Sequence, residues 1–374
     1  RDIIIYSLED ILIKDMFKNH TILGNFEDLI STNKAYNIAI VGDSLLAIGL
    51  IYHIAILSNL PNENRLNLYL INKDATKFLD RVKKQFSNIE RIGHLNLIAY
   101  ELDSNSLSFY KDMIWKKENL TNIFIVDDDE SKNLDIAINL QDTTYPLESA
   151  KDKLKTKIIF AIYNDLGISQ KIDKNQGVFR SFYTFANLKK VINSKNIIDE
   201  ELDLIAKLIH FSYLGEKEID KEKLNQKWLE LDFFKRDSNR AQALHIDIKL
   251  LALGLKKQKS SKPLKELLTI NQKIFKETIK IEEKDKEFPK EFNTLLSKLA
   301  RAEHNRWSAF HYLNGWDYCK SRDDKAKRHN CLLPFSRFTT KEQKETYRYD
   351  IDSIQNIPIY LAHAGYEIKR EEGS

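Results

Sequence analysis

Apolar positions fall into two regimes along the chain. Through the first half, short and nearly continuous apolar runs recur at Tyr36–Val41, Leu66–Ile71, Leu95–Leu102, Asn122–Val126 and Lys157–Tyr163. Between them the spacing turns helical, from the end of the first run to Ser58, then over Ala75–Phe86, Leu107–Lys117 and Ser131–Leu140. Strands that are apolar on both sides and alternate with helices predict a parallel sheet covered on both faces. Val178–Phe185 reads as one further strand or a crossover. Ahead of the alternation, residues 1–34 place Leu8, Ile11, Leu12 and Met16 at helical spacing. That lead-in is read either as packing on the next domain or as leading in from a membrane anchor. Beyond Ile198 the pattern is almost wholly helical.

The helical half repeats itself. Ala206-x-x-x-His210-x-x-Tyr213 recurs as Ala300-x-x-x-His304-x-x-Trp307. Asn239, Arg240, Ala243, Ile246, Ile248, Leu250 and Gly254 align without a gap on Asp350, Ile351, Ile354, Ile357, Ile359, Leu361 and Gly365. Each unit therefore opens on a helix carrying a His and an aromatic about a turn apart. Each closes on an apolar helix stopped by glycine, the residue suited to a left-handed C-terminal cap. Between the units, Lys256–Pro263 is basic and polar and reads as a mobile surface loop. The expected organisation is a helical lead-in (1–34), an α/β Rossmann-like doubly wound sheet domain (35–190), a divergent first repeat (198–256), a linker (257–290) and a second repeat (291–374).

Composition narrows the function classes. With 374 residues, 42% hydrophobic and 30% charged, the chain suits two or three soluble domains. A net charge of +4 from 59 basic and 55 acidic residues gives no reason to expect a nucleic-acid partner. Two cysteines, Cys319 and Cys331, exclude a disulfide scaffold, and a reducing cytoplasmic setting is expected. Cys319, His329 and Cys331, with His304 or His311, lack the paired knuckle spacing of a zinc site, so no metal site is expected.

Candidate chemistry in the first half sits at the turn after the first strand, Gly42-Asp43-Ser44-Leu45-Leu46-Ala47. Against the dinucleotide fingerprint G-x-G-x-x-G/A, the first and third positions fit, and Ser44 replaces the glycine that lets pyrophosphate approach. Its hydroxyl and the following helix N-terminus remain suited to phosphate. Asn72, followed by Asp74, stands where NAD enzymes carry the ribose-binding acid. Three readings stay open: a bound dinucleotide, another nucleotide or phosphate, and a structural relic. The cofactor expected, where one binds, is NAD or another adenine nucleotide. The fourth strand runs into Asp127-Asp128-Asp129-Glu130 and Asn133. This arrangement, over roughly residues 36–165, resembles the TrkA-N or RCK regulatory domain of potassium channels and transporters. The candidate cofactor contacts are Gly42, Asp43, Ser44, Leu45, Asn72, Asp127 and Asp128, and the likeness implies a homodimer.

The second repeat resembles the ryanodine receptor repeat domain. It carries Leu299-Ala300, Glu303-His304, Arg306-Trp307, Gly315-Trp316, Lys327, His329, Leu333-Pro334, Asp350, Ile357-Pro358 and Gly365-Tyr366 in order. Asn330 and Ile351 depart from the family pattern, and the first copy has Tyr213 for the usual Trp. In bacteria such repeats resemble ligand-sensing modules joined to Rossmann and membrane domains, which implies a nucleotide-derived ligand. The residues allow a site in which Trp307 and Trp316 stack a base and Arg306 and Arg348 fork to phosphate. Glu303, His304 and Asp350 would orient the ligand, and Arg236, Asn239 and Arg240 would be the first copy's contribution. The leading expectation is a non-enzymatic regulatory sensor that passes its signal to an attached or partner channel or transport module, including a membrane segment upstream of Arg1. An NAD-dependent oxidoreductase and a protein-binding scaffold are the alternatives.

Overall fold

The computed structural model of the protein describes residues 7–144, 156–164, 172, 182–192, 203–214, 220–280 and 287–371. The chain forms two compact units, Arg1–Ser58 with Asn64–Ser194, and Asn59–Glu63 with Lys195–Ser374.

In the first unit six parallel strands form one sheet: β1 (Tyr36–Val41), β2 (Leu66–Asn72), β3 (Leu95–Glu101), β4 (Leu120–Ile125), β5 (Lys157–Ala161) and β6 (Phe182–Phe185). Their order is β3-β2-β1-β4-β5-β6. This is the order of a dinucleotide-binding sheet, whose direction reverses between β1 and β4 and leaves a crevice at their carboxyl ends. The five expected runs are all strands. Of Val178–Phe185, residues 182–185 supply the sixth, and the rest of that run lies outside the described residues.

The apolar strands are buried on both sides, as the pattern predicts. Helix α3 (Ala75–Gln85) packs on β2 and β3. On one face Val41, Ile123 and Ile125 join Phe109 of α4 (Leu107–Lys111), Trp115, and Ile136 and Leu140 of α5 (Glu130–Thr144). On the other lie α1 (Leu8–Asn19) and α2 (Leu45–Leu57). The Phe17 ring of α1 meets Phe124 edge-on at 6.2 Å. A Cβ on Gly49 of α2 would lie 2.6 Å from Ile13 Cδ1, so glycine sets how closely the two helices pack. The charged Asp10 of α1 is matched by His53 Nε2 at 2.8 Å and Lys14 Nζ at 2.5 Å. Thr121 Oγ1 donates to the Ile22 carbonyl at 2.7 Å, fixing the end of the lead-in to the start of β4. The described part of the lead-in is thus packed on the sheet.

The second unit passes twice through one succession of elements. The first passage is α6 (Leu204–Tyr213), α8 (Phe233–Leu244), α9 (Ile246–Leu251) and β7 (Leu255–Lys259), with α7 (Lys221–Leu229) inserted after α6. The second is α11 (Leu295–Leu313), α12 (Tyr347–Gln355), α13 (Ile357–His363) and β8 (Tyr366–Arg370). Helix breaks fall at His245 and Asn356, positions the alignment equates. Gly254 and Gly365 both hold positive φ, 64° and 74°, to turn from helix into strand. The two passages share one core, in which Leu208, Ile246 and Leu250 cluster with Leu299, Ile354 and Leu361.

The strands β7 and β8 pair antiparallel, Leu255 opposite Arg370 and Lys259 opposite Tyr366. This overturns the reading of Lys256–Pro263 as a mobile loop for residues 256–259, which are strand. The run Lys256-Lys257-Gln258-Lys259 carries no apolar signal, because only one face of a two-stranded ribbon is covered. Much of the expected 257–290 linker is likewise structured as α10 (Leu264–Ile279), which packs on α13 and β8. Its fully buried Asn271 donates to the Tyr366 carbonyl at 2.9 Å and accepts from the Ile368 N–H at 2.8 Å. One side chain thereby replaces a third strand on the outer edge of β8.

Candidate functional site

The first candidate, at the β1–α2 turn, is folded for reasons internal to the chain. Gly42 has φ 108°, and a Cβ there would lie 2.9 Å from the Val126 carbonyl oxygen and 3.0 Å from the Asp127 nitrogen. Glycine is required by the approach of the chain leaving β4, whatever binds. The expectation that the Ser44 hydroxyl serves a phosphate is corrected. Ser44 Oγ donates to the Val126 carbonyl at 2.5 Å and accepts from the Ala47 N–H at 3.2 Å, capping α2. The Asp43 carbonyl accepts from Arg81, and Leu45 is exposed at the first position of α2. Asn72 Oδ1 closes a local turn with the Asp74 N–H at 2.7 Å. Asp127 is paired with Lys132 at 2.5 Å, while Asp128 faces solvent. The buried Asn133 side chain bonds both backbone groups of Asp127 and the Ala161 carbonyl, tying β4 to β5. The acidic strand end and its asparagine therefore have a structural use.

The second candidate is a cleft of about 540 Å³ lying wholly within the helical unit, between the two passages. That volume is in the range of small-molecule sites. The first passage contributes Tyr213, Asn239 and Gln242; the second contributes Glu303, His304, Arg306, Trp307, Tyr349 and Asp350. Tyr213 and Trp307 are aligned positions of the two copies, and so are Asn239 and Asp350, so the repeat builds one site from paired positions.

Helix α11 is buried on nearly every side, yet carries charge. Glu303 receives Lys249 Nζ at 2.5 Å on one oxygen, and Arg306 Nε at 3.1 Å and Nη2 at 2.7 Å on the other. Burial alone would raise the Glu303 carboxyl, but the two cations outweigh it and hold it at about 2. Arg306 is 1% exposed, and its Nη1 has no hydrogen-bond partner among the described residues. His304 Nε2 donates to the Leu333 carbonyl at 2.8 Å, which leaves Nδ1 bare at 3.8 Å from Asp350. Burial keeps that imidazole neutral, its pKa lowered to about 4. Asp350 forms no side-chain hydrogen bond among the described residues. Burial, reinforced by the charge of Glu303, pushes its carboxyl well above the usual range.

That shift has a consequence for stability. A carboxyl whose folded pKa is raised binds more protons in the native state, so its contribution is retained below the unfolded pKa and lost as pH rises through the folded one. Asp350→Asn, which carries no charge, is expected to match the parent near pH 3.8 and to become progressively more stable than it towards neutral pH. Thermal melts of both proteins across that range check this; a constant difference would contradict it.

Several expected contacts lie elsewhere. Trp316 is buried and stacked on Phe234 at 5.4 Å, a core residue. Arg240 is held by Asp203 and Asp237 over the Trp228 ring. Arg236 donates to the Trp228 and Leu229 carbonyls and closes the end of α7. Arg348 is solvent-exposed beside Asp352. A guanidinium satisfied within the fold and one aimed at a ligand look alike in sequence. Trp307 does line the cleft, with its ring packed by His304, His311 and His329 at 5.7, 4.1 and 5.0 Å. Tyr213 and Tyr349 are the more open aromatic faces. Lys249, which neutralises Glu303, gave no signal, since it sits among apolar neighbours of α9. Among the described residues no cluster of His, Cys, Asp and Glu suited to a metal is formed.

With this geometry in hand, one comparison with known proteins bears on it: residues 280–370 match the RyR domain family. The match takes in α11 to β8, and with them the cleft residues from Glu303 to Asp350.

Proposed function

We propose that the chain is a regulatory ligand sensor rather than an enzyme, with its ligand held in the cleft between two RyR-type repeats. The observation that carries the reading is Arg306, which lines a cleft walled by Trp307, Tyr213 and Tyr349 and whose buried Nη1, a hydrogen-bond donor, has no partner among the described residues. Leaving a buried donor unsatisfied costs about 1–3 kcal/mol, which an incoming acceptor would recover. A nucleotide or nucleotide-derived molecule suits the aromatic walls. On this reading the first repeat is a divergent copy of the second. The sheet is a Rossmann-like relative of the TrkA-N or RCK domains, dimeric and cytoplasmic. The signal passes to an attached or partner module, such as a channel or transporter. Ligand binding has this effect only if it favours one arrangement of the chain over another.

The test is a thermal-shift screen against NAD(H), ATP, ADP-ribose and cyclic mono- and dinucleotides. A ligand at a hundred times its dissociation constant stabilises by about 2.7 kcal/mol. The expected result is stabilisation by at least one of them, lost in Trp307→Leu and kept in Leu45→Glu, which sets a negative charge at the α2 N-terminus. The reverse pattern would place the site at the β1–α2 turn, and no shift at all would contradict the sensor reading.

A further inference from the structure

The floor of the cleft is one bonded negative charge short. Lys249 and Arg306 are both fully buried and share one carboxylate, Glu303, with Lys249 on one oxygen and Arg306 on the other. Among the described residues no second carboxylate lies within ion-pair distance of either cation. His245, 4.0 Å from Glu303, adds no charge, because burial keeps its imidazole neutral. Buried charges are ordinarily paired, and Arg306 Nη1 is the nitrogen left over.

Asp350 lines the cleft beside this cluster, but its geometry gives it another part. Its Oδ2 lies 3.8 Å from His304 Nδ1. His304 is neutral and donates through Nε2, so Nδ1 presents a lone pair. Two acceptors facing each other repel unless a proton lies between them, and the carboxyl is the group that can hold it. The surroundings leave that proton in place. Burial and the charge of Glu303 oppose ionisation, and together they outweigh Arg306 on the same helix and Lys249 of α9. Burial also keeps the neighbouring Cys331 a thiol. With Asp350 neutral, Lys249, Arg306 and Glu303 sum to one positive charge.

We propose that the ligand supplies the missing charge as one oxyanion bonded to Arg306 Nη1, while Asp350 stays protonated and donates to His304 Nδ1. A single charge suffices. The other guanidinium of the lining, Arg322, is already bonded to Asp324 at 2.6 and 3.0 Å, and the exposed Glu342 and Glu345 would meet any further negative charge. Among nucleotide-derived molecules this chemistry belongs to a phosphodiester rather than a terminal phosphate, with the base received by Trp307, Tyr213 and Tyr349. The inference rests on the sensor reading and narrows it to nucleotides of that class.

The test is calorimetry on the full chain with cyclic AMP, cyclic GMP and the cyclic dinucleotides. Each is compared with its nucleoside, which carries the same base without charge, and with ATP, NAD and ADP-ribose. A hydrogen bond to a charged acceptor is worth about tenfold or more in affinity. At about pH 5.5 at least one phosphodiester is expected to bind about tenfold or more tighter than its nucleoside. As pH rises to about 8.5, Asp350 ionises and its carboxylate opposes the oxyanion, so this affinity falls, by up to about tenfold per pH unit, while that of the nucleoside does not. Asp350→Asn still donates to His304 Nδ1 but cannot ionise; it is expected to keep the tight binding and lose the pH dependence. Arg306→Lys keeps a charge beside Glu303 but removes Nη1, and is expected to bring the phosphodiester down to the affinity of its nucleoside. Equal affinity for phosphodiester and nucleoside, preference for ATP, NAD or ADP-ribose, or a pH dependence that is absent or survives in Asp350→Asn would overturn the inference. Where such binding is lost in Trp307→Leu, the cleft is still a nucleotide site and the sensor reading stands. No binding by any of these molecules would overturn both.

Discussion

Glu303→Gln is expected to destabilise the helical unit by about 3–5 kcal/mol, the cost of leaving buried charges without their counter-ion. The carboxylate is 2% exposed and serves Lys249 and Arg306 at once. Glutamine keeps the volume but offers one neutral acceptor in place of two charged oxygens. Urea unfolding followed by tryptophan emission reads this unit well, since Trp228, Trp307 and Trp316 lie in it and only Trp115 lies in the other. Adding Lys249→Met should recover part of the loss, because the second substitution removes one stranded cation; the double-mutant cycle isolates that coupling. A loss below about 1 kcal/mol would mean that water reaches Glu303 and screens it, as at exposed pairs. The floor of the cleft would then be hydrated.

In the other unit, Gly42→Ala is expected to cost about 1–3 kcal/mol of backbone strain, before any effect on a ligand. An alanine there must hold φ 108° and place its Cβ 2.9 Å from a backbone oxygen. The measurement is unfolding of the sheet unit, followed through Trp115. Had this glycine been required only to admit a pyrophosphate, the substitution would spare stability and affect ligand binding alone. The structural account predicts that stability falls with no ligand present.

The sheet was legible because its signal is local. A strand buried on both faces must be apolar at successive positions, and Ile38-Ala39-Ile40-Val41 and Ile123-Phe124-Ile125 are. The repeat was legible because aligned positions hold the same structural roles, the Gly254 and Gly365 turns above all. Strand β7 was not, because Lys256, Lys257 and Lys259 lie on a ribbon whose partner is more than a hundred residues away in sequence. The site divides in the same manner. Glu303, His304, Arg306, Trp307, Asp350 and Asn239 were named from sequence and do meet in the cleft. Arg236, Arg240 and Arg348 were named for their chemistry alone, and each has its partner within the fold or beside it on the surface. Which arginine is left with an unpaired nitrogen depends on the counter-ions folding supplies, and for Arg306 that is one oxygen of Glu303, a turn earlier on the same helix.

The most direct test of the central claim is a crystal structure of the full chain grown with a ligand that stabilises it in the thermal screen. The account predicts ligand density between Tyr213 and Trp307, with an acceptor atom about 2.9 Å from Arg306 Nη1, the usual length for such a bond. Density at the Gly42 turn, with the cleft empty and the Arg306 nitrogen still unpaired, would contradict it.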